Sequence, residues 1–97
     1  MGKDEKMQAK HVDGTDKGKV MLYTLSTCIW CGKTKKLLGE LGVSYDYLDI
    51  DLLEGGDKHK ALDEIAKYNP AKTFPTLVIG ETGIRGFKED QVRQALG

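Results

Sequence analysis

The sequence predicts an α/β sandwich of three layers, with the element order β-α-β-α-β-β-α around a four-stranded mixed sheet. Three observations predict it. Short β-prone runs, "KVMLYTL", "YDYLDID" and "TLVIG", alternate with two stretches of helical periodicity, the pattern of parallel strands joined by crossover helices. A tight turn, "ETG", then sends the chain back through "IRG" as a hairpin, and one more amphipathic stretch closes it. With 97 residues there is room for a single core, burying a little over ~60% of the surface the unfolded chain exposes.

Residues 1–18 carry four lysines against four aspartates and glutamates, with no apolar periodicity, and are expected to be a disordered polar tail. The folded domain is expected over 19–97. "KVMLYTL" opens it as a buried strand. In "CGKTKKLLGELG" the positions Thr34, Leu37, Leu38 and Leu41 recur at helical spacing, while Lys33, Lys35, Lys36 and Glu40 take the opposite face. Gly42 stops this helix. "YDYLDID" is a second strand, polar enough on one face to be an edge.

After "LEGG", Asp57 is expected to cap a helix running to about Tyr68, with Leu62, Ile65 and Ala66 inward and an Asp63–Lys67 pair outside. Asn69-Pro70 ends it. "TLVIG" and "IRG" are the hairpin strands. The last helix runs from about Phe87 to Leu96, with Val92, Ala95 and Leu96 inward. The first crossover is expected to be right-handed.

Composition excludes several classes. Fifteen basic and fifteen acidic residues leave no net charge, so the global footprint of a nucleic-acid binder is absent. The longest apolar runs fall far short of the roughly 20 residues a membrane span needs. The first residues lack the apolar core of a signal peptide, which makes a cytoplasmic, reducing location the expectation. In such a compartment the two cysteines are better suited to transient chemistry than to a permanent bond.

Those cysteines stand in "STCIWCGKTKK", residues 26–36. Cys28 falls at or just before the first helical turn, and Cys31 lies inside it. Residues three apart on a helix have Cα atoms about 5–6 Å apart, within a disulfide's reach. Unpaired N–H groups of the first turn, with help from Thr27 or Cys31, point at the Cys28 sulfur and favour the thiolate, the form that attacks disulfides. Cys28 projects from the helix end as the nucleophile, and Cys31, one turn in, resolves the mixed disulfide.

Other uses of the pair are weaker. Zinc would need about four ligands, and the histidines are His11 in the tail and His59 on a polar helix face. A structural disulfide closing so short a loop would remove little chain entropy. "CGKT" imitates a phosphate-binding loop but has Thr27 where that motif requires glycine.

Strand, C-x-x-C and helix, followed about 45 residues later by "TFPT" and then by "GFKED", resemble the glutaredoxins over roughly residues 19–97. The resemblance implies a thioredoxin-like fold and a dithiol-disulfide oxidoreductase that reduces protein disulfides or glutathione mixed disulfides. It implies a cis Phe74–Pro75 bond, which would present the Phe74 backbone to an extended peptide. Lys72, beside Thr73, matches a family glutathione-contact position, and both are candidate binding residues. Gly86 would free backbone amides at the start of the last helix to hold a carboxylate, or would serve as a simple strand-to-helix turn.

Trp30 is either a partner-binding aromatic or a ring lying over the helix end. Lys33, Lys35, Lys36, Lys72, Arg85 and Lys88 would gather at the thiol end, where they either attract anionic glutathione or an acidic protein face or are merely solvated surface charges. The chain departs from the family at Ile29-Trp30, where Pro-Tyr is usual, at Leu25, where a basic residue is common, and at Phe87-Lys88-Glu89-Asp90, where paired acids follow the glycines. "GFKED", with Phe87 and Lys88, is similar instead to glutaredoxin-like redoxins that take electrons from thioredoxin reductase and serve ribonucleotide reductase. The expectation is a monomer with no bound cofactor, using glutathione or thioredoxin reductase as electron donor. The alternative is an iron–sulfur cluster carrier in which Cys28 from two subunits ligates the cluster.

Overall fold

In the computed structural model, which describes residues 9–97, the elements are β1 (Lys10–Val12), β2 (Val20–Thr24), α1 (Ile29–Leu41), β3 (Tyr45–Asp49), a 3-10 turn (Ile50–Leu52), α2 (Gly55–Tyr68), β4 (Thr76–Ile79), β5 (Thr82–Arg85) and α3 (Glu89–Leu96). The sheet runs in the order β1-β3-β2-β4-β5. Strands β2 and β3 are parallel, and the other neighbours pair antiparallel. This is the three-layer α/β arrangement the sequence predicts, with one strand more.

The layers follow from the period of the strands. Successive residues point to opposite faces, so Leu22 and Leu77 join Leu37, Leu38, Val92 and Leu96 on the side of α1 and α3. Tyr23 and Val78 join Leu48, Ile50, Ala61 and Ile65 on the side of α2. Gly83 of β5 lets α2 come close, since a Cβ there would stand 2.6 Å from the Tyr68 Cβ. Gly42 ends α1 in the left-handed region, at φ 70, as expected of a helix-stopping glycine.

The fifth strand lies in the stretch expected to be tail. Residues 1–8 of that stretch lie outside the described residues, but Lys10–Val12 pairs with β3. Val12 packs on the α1 side of the core, and His11 Nδ1 meets Asp46 Oδ1 at 2.6 Å. Thr15 then exchanges backbone hydrogen bonds with Gly42 and Ser44, an approach that needs Gly14, whose Cβ would fall 2.5 Å from the Val43 carbonyl carbon. One apolar residue and one glycine carry this segment, too few for a periodicity signal. Strand β3 is therefore covered on both sides rather than being an edge.

Helix ends differ in detail. Helix α2 begins at Gly55 after Glu54, with no side-chain cap, so Asp57 sits in the first turn instead of capping it. The carboxylate that pairs with Lys67 belongs to Glu64, at 3.2 Å, not to Asp63. Helix α3 begins at Glu89 and turns Val92 and Leu96 inward while Ala95 stays exposed.

Candidate active site

Strand β2 ends in the fully buried Thr24, and the chain turns through residues 25–28 into α1. The turn is pinned from outside. The Asp51 carboxylate accepts from the Ser26 N–H at 2.9 Å and from the Ser26 hydroxyl at 2.5 Å. These two hydrogen bonds hold the Asp51 carboxyl below its ordinary value. Thr24 in turn donates to Asp49, which Lys35 approaches at 3.6 Å.

The turn delivers Cys28 as the N-cap of α1, in extended conformation (φ −86, ψ 120). A cap residue ordinarily offers an oxygen to the orphan N–H groups of the first turn. Here a sulfur does so: Cys28 Sγ accepts from the Cys31 N–H at 3.1 Å. Cys28 is partly exposed, whereas Cys31 is 1% exposed. Burial, and after it the hydrogen bond to Cys28, push the Cys31 thiol up to about 12, against the downward pull of the Leu25 backbone amide and the Lys35 charge. The two sulfurs are close in space and opposite in environment.

Beside them lies a cavity of about 250 Å³ lined by Trp30, Phe74, Pro75, Gly86 and Phe87. These five, expected from the sequence as binding residues, come together. Phe74–Pro75 is cis. The Phe74 backbone has no hydrogen-bond partner among the described residues, so its N–H and C=O remain available to an extended ligand. Trp30 is 54% exposed, and its ring stands 5.9 Å from that of Phe87 and beneath Lys33 at 4.9 Å.

Other expected residues are placed differently. Gly86 does not open α3. It ends β5 in the left-handed region (φ 77) and donates its N–H to the Pro75 carbonyl at 2.8 Å, which ties the two cavity walls together. Lys88 directs its ammonium to the Arg85 carbonyl at 2.9 Å. Lys72 is exposed in a turn at φ 55, and Thr27 is exposed next to Cys28. Lys35 leaves the expected surface patch for Asp49 and the Tyr47 ring.

Two supporting residues have no signal in the sequence. Asn69, fully buried, donates through Nδ2 to the Thr73 carbonyl, the Thr73 hydroxyl and the Thr76 hydroxyl at 2.9–3.0 Å, bracing the segment that carries Phe74 and Pro75. Asp51 grips Ser26 across the sheet. A polar residue before a proline, or after a strand, reads as an ordinary breaker. Among the described residues no group of three or more His, Cys, Asp and Glu could hold a metal, and no helix is long and apolar enough to cross a membrane.

A thiol capping α1 directly after the parallel strand β2, a second thiol in that helix's first turn and a cis-proline just before β4 define a redoxin of the thioredoxin-like fold. The glutaredoxin family model matches residues 20–84, and the chain belongs to the glutaredoxin family. It is similar to the glutaredoxin from Methanosarcina mazei Go1, at 51% identity and a TM-score of 0.87 over 92% of this chain and 87% of that one. It is equally similar to Methanosarcina acetivorans methanoredoxin, at 49% identity and a TM-score of 0.88 over 95% and 98%. Glutaredoxin-2, mitochondrial, from Pongo abelii is 30% identical over 67 residues, or 69% of this chain. That match spans 40% of the relative's length.

Proposed function

We propose that the chain is a dithiol-disulfide oxidoreductase acting on protein disulfides or glutathione mixed disulfides. The Cys28 thiolate attacks one sulfur of the substrate, forms a mixed disulfide and expels the other sulfur as thiolate. Cys31 then loses its proton and attacks Cys28 Sγ, releasing the second substrate thiolate and leaving a Cys28–Cys31 disulfide. Two electrons pass to the substrate. Two more, from glutathione or from a thioredoxin reductase, restore the thiols, and sulfur chemistry alone suffices for every step.

The asymmetry of the pair carries this reading. One sulfur is reachable and receives an amide hydrogen bond, while the other is buried and kept as a thiol. An attacking thiol needs access and thiolate character, and a resolving thiol must not compete with it. The Trp30–Phe74–Phe87 cavity beside the thiols suits the apolar part of a substrate, and the Phe74 backbone suits its peptide groups.

Cys28→Ser is expected to abolish all turnover. Cys31→Ser is expected to lose protein disulfides and keep only single glutathione adducts. Equal residual activity in the two variants would overturn the assignment. Supplying a glutathione system and a thioredoxin reductase in turn, with a common disulfide substrate, identifies the electron donor.

A further inference from the structure

Phe87 is shared by two cavities. On one side it closes the cavity next to the thiols, together with Trp30, Phe74, Pro75 and Gly86. On the other it opens a groove of about 230 Å³ between α1 and α3, lined also by Lys33, Lys36, Leu37, Glu40 and Glu89. The two cavities thus adjoin at Phe87, and the groove leads from there along α1.

Its charges are not balanced within it. Arg93 of α3 reaches Glu89 at 2.7 Å and Glu40 at 3.8 Å, so with Lys33 and Lys36 three cations stand against two carboxylates. Among the described residues neither Lys33 nor Lys36 pairs with an acid, and Lys33 rests over the Trp30 ring at 4.9 Å. Lys36 is exposed one helical turn further on. An apolar floor of Leu37 and Phe87, beside two ammonium groups that no carboxylate contacts and a net charge of one positive, is complementary to a peptide segment that carries carboxylates.

We propose that the α1–α3 groove is a docking site for an acidic segment of the protein substrate, lying a few residues from the disulfide that Cys28 attacks. The inference rests on the oxidoreductase reading and adds the class of partner. A substrate held at the thiols runs past Phe87 into the groove, where Lys33 and Lys36 meet its Asp or Glu side chains. Electrostatic docking of this kind acts on encounter and orientation, so it raises the second-order rate and weakens with salt.

The test is single-turnover oxidation of the pre-reduced protein. Each event converts the protein dithiol to its disulfide and the probe disulfide to two thiols, so no reductase is required. The probes are a synthetic peptide with one internal disulfide followed by three glutamates, its twin with lysines in place of the glutamates, and bis(2-hydroxyethyl) disulfide. In about 0.02 M salt the acidic peptide is expected to react about tenfold faster than its twin, falling to about twofold in about 0.3 M salt. The double variant Lys33→Gln/Lys36→Gln is expected to lose most of that preference while reacting with the small disulfide within about twofold of the wild type. Equal rates for the twins on the wild type, or a preference unchanged in the double variant, would overturn the docking site alone. Failure of all three probes to oxidise the wild type would overturn the oxidoreductase reading and the docking site with it.

Discussion

The Cys31 backbone N–H donates to Cys28 Sγ over 3.1 Å. The residue assigned to resolve the mixed disulfide thus also holds, through its amide, the sulfur that attacks. The amide acts beside the Cys31 thiol's own hydrogen bond to Cys28, whereas resolution needs the Cys31 sulfur itself. Removing the second thiol leaves the first contact in place.

Cys31→Ser therefore separates them. The amide remains and the serine hydroxyl can still donate, so the reaction of Cys28 with a glutathione mixed disulfide, read as a single-turnover rate at neutral pH, is expected within about twofold of the wild type. Closure to the internal disulfide is lost completely. A drop of about tenfold or more in the first step would show that the Cys31 side chain, and not its amide, supports the attacking sulfur.

Burial of Cys31 makes a pH prediction. Its thiol is raised to about 12 from an ordinary 9.0. In the unfolded chain it ionises near the ordinary value, while the folded protein still binds the proton. Stability from this group is complete below pH 9.0 and falls as pH rises toward about 12, by up to about 1.4 kcal/mol per pH unit. Tyr23 and Tyr45, both raised by burial, add a loss of the same sign at higher pH. Urea midpoints of the reduced protein measured from pH 8 upward should decline earlier and more steeply than those of Cys31→Ser. Coincident profiles for the two proteins would contradict this.

Strong periodic signals and short non-local contacts differ sharply in how legible they are. Thr34, Leu37, Leu38 and Leu41 repeat at the helical period over a full element, so α1 and its inward face can be read directly, and the C-x-x-C spacing places both thiols on its first turn. Strand β1 has a single core residue, Val12, and depends on Tyr45, Asp46 and Tyr47 far along the chain. Nothing local distinguishes it from a polar tail. Gly86 shows the same limit: the sequence leaves open both a set of free helix-start amides and a simple strand-to-helix turn, and only the fold pairs its N–H with the Pro75 carbonyl, 11 positions earlier. Patterns within one element survive in sequence, whereas partners chosen across the sheet do not.

His11 and Asp46 tie β1 to the sheet. The imidazole is raised above 6.5, first by the hydrogen bond to Asp46, with the Asp46 and Asp13 charges adding to it and partial desolvation opposing. A raised histidine contributes fully below its unfolded value of 6.5 and loses that contribution as pH rises through its folded value. The His11 ring resonances are expected to titrate with a midpoint above 6.5, and Asp46→Asn to lower that midpoint. Hydrogen exchange at the β1 amides, corrected for the intrinsic rate, should accelerate above the midpoint. A His11 midpoint at or below 6.5 would remove the charge-assisted tie.

Asn69 offers the strictest test of how the docking edge is held. Its carboxamide is fully buried between the C-terminus of α2 and the start of β4, and its Nδ2 is the common donor to Thr73 and Thr76. The Asn69 carbonyl closes the following turn by accepting from the Lys72 N–H at 2.8 Å, a main-chain bond that substitution leaves intact. Asn69→Ala removes only the side-chain brace and takes the Nδ2 donor from the buried Thr76 hydroxyl, at a cost of about 1–3 kcal/mol. Thr76 keeps its own bond to the Thr73 carbonyl at 2.7 Å, so the loss should be local and the protein should still fold. Because Phe74 and Pro75 line the cavity beside the thiols, a looser segment should raise KM for peptide disulfides several-fold, with kcat at saturation and the rate with bis(2-hydroxyethyl) disulfide nearly unchanged. A uniform fall in activity toward large and small disulfides alike would place Asn69 in the general stability of the domain rather than in the positioning of its docking edge.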